Sequence, residues 1–117
     1  MSRGYVHSED WTKLESAYLP MSETAYYILL SLVEPLHGYG IMQLVESITR
    51  GRIKLGPGTL YGTLSRMESD GLIEAVAERE RRKIYRVTPA GRHLLRREIE
   101  RLEELVAHGR QRLEGEA

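Results

Sequence analysis

Cysteine is absent from the 117 residues, which removes disulfides, thiolate nucleophiles, zinc knuckles and iron–sulfur ligation together. Net charge is absent as well: 17 Lys and Arg balance 17 Asp and Glu, so whole-chain electrostatics neither demands nor excludes a polyanionic partner. No apolar run is long enough for a bilayer. The longest, Ala25 to Val33, is interrupted by Ser31 and flanked by Glu23 and Glu34, about half the roughly 20 residues that a span requires. Met1 to Trp11 contain no apolar h-region, so a soluble cytoplasmic protein is expected. The histidines His7, His37, His93 and His108 lack metal-ligand spacing, and the string Gly56, Gly58, Gly62 lacks both a P-loop lysine and a parallel-sheet unit. No cofactor, metal site or catalytic constellation is expected, and no internal repeat is present.

What is present reads as five segments within one small domain. Ser8 is a cap candidate for a short helix carrying Trp11, Leu14, Ala17 and Tyr18, which Pro20 ends. Such a helix must dock on something. Ser22 caps a second helix, in which Ala25, Ile28, Leu29, Leu32 and Val33 follow the spacing of a core-facing stripe, while Tyr26 and Leu30 leave a further apolar side to be covered. His37 to Gly40 form a turn into a third helix with Ile41, Leu44, Val45 and Ile48. Ile53 to Leu55 alternate like a brief strand, and Gly56-Pro57-Gly58 break the chain before Thr59 opens a fourth helix that stops at Gly71. Leu72 to Val87 read as a hairpin with a charged tip, and Thr88 caps a final helix with Pro89 at its first position. Positions 95, 99, 102, 106, 109 and 113 step by four and three along it, an apolar seam broken only by Gly109. The polar end from Arg110 to Ala117 is expected to fray.

Helix, helix, short strand, helix and hairpin is the order of an α+β winged helix-turn-helix, with an N-terminal helix (1–20), a DNA-binding unit (21–87) and a dimerisation helix (88–117). On a 100° wheel, Leu60, Leu64 and Met67 share one side of the fourth helix, and Gly58, Gly62, Ser65, Arg66 and Ser69 lie opposite. Glycine inside a helix costs about 1 kcal/mol against alanine, so Gly62 needs a reason: close approach to a duplex, or relief of crowding against the hairpin. Residues 37–87 hold nine Lys/Arg against six Asp/Glu, whereas residues 1–36 hold two against five. The neutral total therefore conceals a dipole whose positive end includes the wing run Arg79, Arg81, Arg82 and Lys83, otherwise a plain solvated surface. Gly58, Thr59, Gly62, Ser65 and Arg66 are assigned to a major groove, Arg66 to a guanine edge, and Tyr39, Lys54 and Tyr61 to phosphates. Partial burial is the alternative for both tyrosines. Trp11 either anchors the first helix on a partner subunit or lines an apolar cavity for a planar ligand. Leu95, Ile99, Leu102 and Val106 are the dimerisation residues.

Four ordered motifs carry a family resemblance. His37-Gly38-Tyr39-Gly40-Ile41, Gly58-Thr59-Leu60-Tyr61, Met67 through Ile73, and Arg82 through Arg92 resemble the pattern of PadR family transcriptional regulators over about residues 22 to 106. The resemblance implies a homodimer paired through its final helices, a palindromic double-stranded DNA operator, and repression relieved by a small hydrophobic or phenolic effector. It resembles the compact branch with a single C-terminal helix. Two departures stand out: the wing tip from Glu78 to Arg82 has neither glycine nor proline, and the final helix has no Phe, Tyr or Trp. A winged-helix module that binds another protein, or a small-molecule sensor with an apolar dimer cavity, are the competing readings.

Overall fold

The computed structural model describes residues 7–115. Five helices and three short strands follow in order: α1 (His7–Tyr18), α2 (Glu23–Ser31), β1 (Leu36–His37), α3 (Gly38–Ile48), α4 (Pro57–Ser69), β2 (Ile73–Arg79), β3 (Arg82–Val87) and α5 (Pro89–Glu114). Each boundary has a local cause. Ser22 Oγ accepts from the Ala25 amide at 3.0 Å, and Thr88 Oγ1 accepts from Gly91 at 3.2 Å while donating to the Gly71 carbonyl at 2.6 Å. Gly71 ends α4 at φ +78°, a left-handed conformation that glycine adopts without a Cβ penalty. The first cap candidate, Ser8, is already inside α1, and the side chains of residues 7–10 lie outside those described.

The strand expected at Ile53 to Leu55 does not form; that stretch is irregular, and the third strand is Leu36–His37. It pairs antiparallel with β3, Leu36 opposite Tyr85 and His37 opposite Ile84, giving the order β1-β3-β2. Two residues are too few to show any alternation, which is why the sequence presents this stretch as the edge of a turn. Val76 is an extra residue in β2, a bulge between the Ala75–Tyr85 and Ala77–Ile84 pairs. Only Ile73 of β2 is buried, so the hairpin leaves the core beyond that point and stands out as a wing.

The core is one cluster. Ile28, Leu29 and Leu32 meet Ile41 and Val45 of α3, Leu60, Leu64 and Met67 of α4, and Leu94 at the start of α5, all essentially without solvent contact. Glu98 is buried among them, paired with Arg101 at 2.8 Å and accepting from the Met21 amide at 3.2 Å. The Arg101 guanidinium holds its carboxyl below the usual range, with the Met21 amide helping, against the cost of burial. Leu95, read as part of a pairing seam, is a core residue at 5% exposure: the first two turns of α5 are used up packing on the domain, and only later turns can offer a face outward. Those later turns stay helical to Glu114, so the fraying expected from Arg110 does not occur as far as that residue. The molecule is correspondingly elongated, 58 × 42 × 20 Å.

Candidate nucleic-acid interface

The wheel prediction for α4 holds at the level of packing. Leu60, Leu64 and Met67 are buried, whereas Gly58, Thr59, Tyr61, Gly62, Ser65, Arg66 and Ser69 are exposed. A Cβ built on Gly58 or Gly62 would meet no atom within 4 Å. The hairpin therefore does not crowd Gly62, and no contact within the described residues calls for a glycine there. Gly62→Ala is expected to raise thermal stability, by about 1 kcal/mol from helix propensity. If this face of α4 enters a groove, the added methyl group should also weaken DNA binding. Melting curves and a gel shift on the same sample check both signs.

Three elements converge beside this helix. Gly38, Tyr39 and Tyr61 line one cleft with Arg81, Arg82 and Lys83 of the wing. Tyr39 sits in the first turn of α3 and Tyr61 in the second turn of α4, and both are about half exposed. Gly38 makes this possible: a Cβ there would overlap the Tyr61 ring, so the missing side chain is the seat on which that ring lies. His37 caps α3, its Nδ1 accepting from the Gly40 amide at 3.0 Å, so the N-terminus of that helix lies at the cleft that Gly38 and Tyr39 line. In the sequence His37 and Gly38 stood as a turn and as part of the first family motif, not as a helix cap and a seat for Tyr61. Histidine is an uncommon cap, and the glycine's partner is 23 residues downstream.

Two of the local cations are already engaged. Arg52 forms a two-pronged pair with Glu23 at 2.6 and 2.9 Å, and Arg86 pairs across the hairpin with Glu74 at 3.5 Å. Lys54, Arg79, Arg81, Arg82 and Lys83 are exposed and form no ion pair among the described residues. The wing tip is a two-residue turn, Glu80 and Arg81 at φ +53° and +68°, with Arg79 opposite Arg82. Such a turn normally carries asparagine and glycine. Here it carries charge to the outermost point of the wing.

Arg66 is exposed but not adrift. Its guanidinium carbon lies 4.6 Å from the centroid of the Tyr18 ring of α1, and the Tyr18 hydroxyl donates to Asp70 Oδ2 at 2.6 Å. Burial first, and the Asp70 carboxylate second, push the Tyr18 phenol up to about 12. Trp11 stacks on His93 of the same chain's α5, ring centroids 4.5 Å apart, and His93 Nε2 is 2.5 Å from Glu15. The tryptophan thus holds α1 against α5 of its own chain. Farther along α5, Ile99, Leu102 and Val106 are exposed and line a shallow apolar groove with Tyr26. Among the described residues no group of three His, Asp or Glu side chains could hold a metal, and no helix is long and apolar enough to cross a membrane.

A sequence profile described as the transcriptional regulator PadR-like family matches residues 27–97. The chain belongs to this family. It is 42% identical over 89 residues to an uncharacterized 37.1 kDa protein in transposon TN4556 of Streptomyces fradiae, a match covering 75% of this chain and 23% of that one. It is also 42% identical over 66 residues to the transcriptional regulator Rv3488 of Mycobacterium tuberculosis H37Rv, covering 54% of this chain and 62% of that one. The chain thus spans less than two thirds of the length of either. A PadR family transcriptional regulator from Eggerthella lenta has a similar crystal structure, with TM-score 0.59, 29% identity and coverage of 92% and 91% of the two chains. The α+β winged-helix assignment is the architecture of PadR regulators. Tyr39, Tyr61, Arg66 and the wing lie inside the PadR-matched span; α1 and the outer turns of α5 lie outside it.

Proposed function

We propose that this PadR-like chain is a sequence-specific DNA-binding repressor that works as a homodimer on a palindromic operator and is released by a small hydrophobic or phenolic effector. The observation that carries the DNA reading is the cleft where Tyr39, Tyr61, Arg81, Arg82 and Lys83 meet, beside a helix whose outer face is glycine and serine. Hydroxyls, helix N-termini and unpaired cations are phosphate ligands, and a small-residue face lets α4 sit deep in a major groove. In this assignment Gly58, Thr59, Gly62, Ser65 and Arg66 face bases, while Tyr39, Lys54, Tyr61 and the wing residues, Arg79 included, hold backbone.

Selection of bound fragments from a random duplex pool tests binding, symmetry and sequence at once. Inverted half-sites about 34 Å apart, or a multiple of that, are expected. A chain that enriches no sequence, and whose retention on DNA does not fall with salt, would be a protein-binding module instead.

Pairing is supported by the apolar groove of Ile99, Leu102 and Val106 beside the half-buried Tyr26; these three, with Leu105 and Leu113, are large apolar side chains facing solvent in the single chain. Leu102→Glu or Ile99→Glu is expected to convert a dimer into a monomer in sedimentation, with folding retained because neither residue is in the core. A dimer that survives both substitutions rules this seam out. Quenching of the single tryptophan, Trp11, by candidate ligands is the direct assay for the effector.

A further inference from the structure

We propose that Tyr18, on the helix that precedes the PadR-matched span, is a positioning residue for DNA recognition: it holds Arg66 of α4 in the conformation in which its guanidinium meets the duplex. The inference rests on the reading of Arg66 as a DNA contact.

The geometry is a platform. The Tyr18 ring is buried, 7% exposed, and lies under the Arg66 guanidinium. Its hydroxyl is tied to Asp70, the C-cap of α4, so the platform is fastened to the helix whose side chain it supports. An arginine side chain is rich in rotamers, and a complex forms more tightly when that freedom has been surrendered beforehand. The ring lies against the guanidinium, whose five N–H donors outnumber what the Tyr18 hydroxyl can accept, so donors remain for a ligand. No carboxylate of the described residues comes within 4 Å of Arg66, so its charge is not spent inside the chain. The second hold on α1, through Trp11, Glu15 and His93, keeps the platform in place from the α5 side.

The test is a double-substitution cycle on the full chain, with a duplex taken from the selection experiment. Tyr18→Leu removes the ring and should weaken binding by about 3- to 10-fold. Arg66→Ala should weaken it at least as much, and Tyr18→Leu added to Arg66→Ala should cost nothing further. Tyr18→Phe keeps the ring, so its DNA affinity should stay within about twofold of the parent even though its melting midpoint falls with the lost Asp70 bond. Circular dichroism checks folding; Tyr18→Met, of similar apolar bulk, replaces the leucine variant if that one does not fold. Losses that simply add, a Tyr18→Leu chain that binds as the parent does, or a Tyr18→Phe chain as impaired as the leucine variant would each overturn the proposal. Arg66→Ala without effect would remove its premise and overturn it too, while binding through the wing remained. Only a parent chain that binds no duplex would defeat the DNA reading itself.

Discussion

Gly91→Ala should be the most damaging single-methyl substitution in the chain. A Cβ at Gly91 would overlap the Leu72 carbonyl oxygen and Cγ2 of Val87, so the added carbon meets backbone on one side and a buried side chain on the other. Neither can yield cheaply. The Leu72 carbonyl already accepts from the Thr88 amide at 2.9 Å, and the Val87 amide donates to Leu32 at 2.8 Å. Overpacking costs typically 1–3 kcal/mol and sometimes more; a carbonyl as the obstacle places this site at about 3 kcal/mol. The melting midpoint should fall by roughly 12 °C in a chain of this size. A variant melting within 2 °C of the parent would show that α5 leaves the sheet with slack. The contrast with Gly62→Ala is instructive: the same methyl group is expected to stabilise α4, where its surroundings are open.

Joint replacement of Arg81, Arg82 and Lys83 by alanine should give the largest functional effect. Each phosphate contact contributes about 0.9 to the slope of log affinity against log salt on duplex DNA. Losing three should flatten that slope by about 2.7 and, near 150 mM salt, weaken binding by about a hundredfold. Stability should not suffer, because the three side chains are exposed and form no ion pair among the described residues. The left-handed cost at position 81 stays, because alanine also carries a Cβ. Arg81 occupies a left-handed conformation at φ +68° that costs an ordinary residue about 1–2 kcal/mol, and a charged tip held at that cost fits a role outside the fold. An unchanged slope would move the wing off the backbone and leave its charge as solvation.

Much of the architecture was legible because period and punctuation agree. The 3.6-residue spacing of Ile28, Leu29 and Leu32, or of Leu60, Leu64 and Met67, is enforced by a core that admits one face of each helix, and Ser22, Pro57, Thr88 and Pro89 mark their ends. The outer face of α4 followed by subtraction. Ile53 to Leu55 misled for the opposite reason: three alternating residues satisfy a pattern without any strand beside them, whereas Leu36–His37 has such a neighbour in β3 and shows no pattern. Leu95 illustrates a second limit. A four-three repeat says that residues share a stripe, but where along it the chain's own core gives way to open surface depends on tertiary packing. The Gly38–Tyr61 seat and the Tyr18–Arg66 stack were invisible for the same cause, since each joins segments far apart in the chain.

The seat of Gly91 has a consequence at the other end of the molecule. α5 is 26 residues, a rod about 39 Å long, and it is clamped at its root against the strand that bears the wing. With so little room there, the rod and the wing are expected to turn together. A swing of about 5° at the root carries the far tip roughly 3 Å. In a paired assembly the pitch between two reading heads is thus geared to how the distal rods lie against each other. A molecule wedged between those rods need never approach the duplex to throw the heads out of step with it.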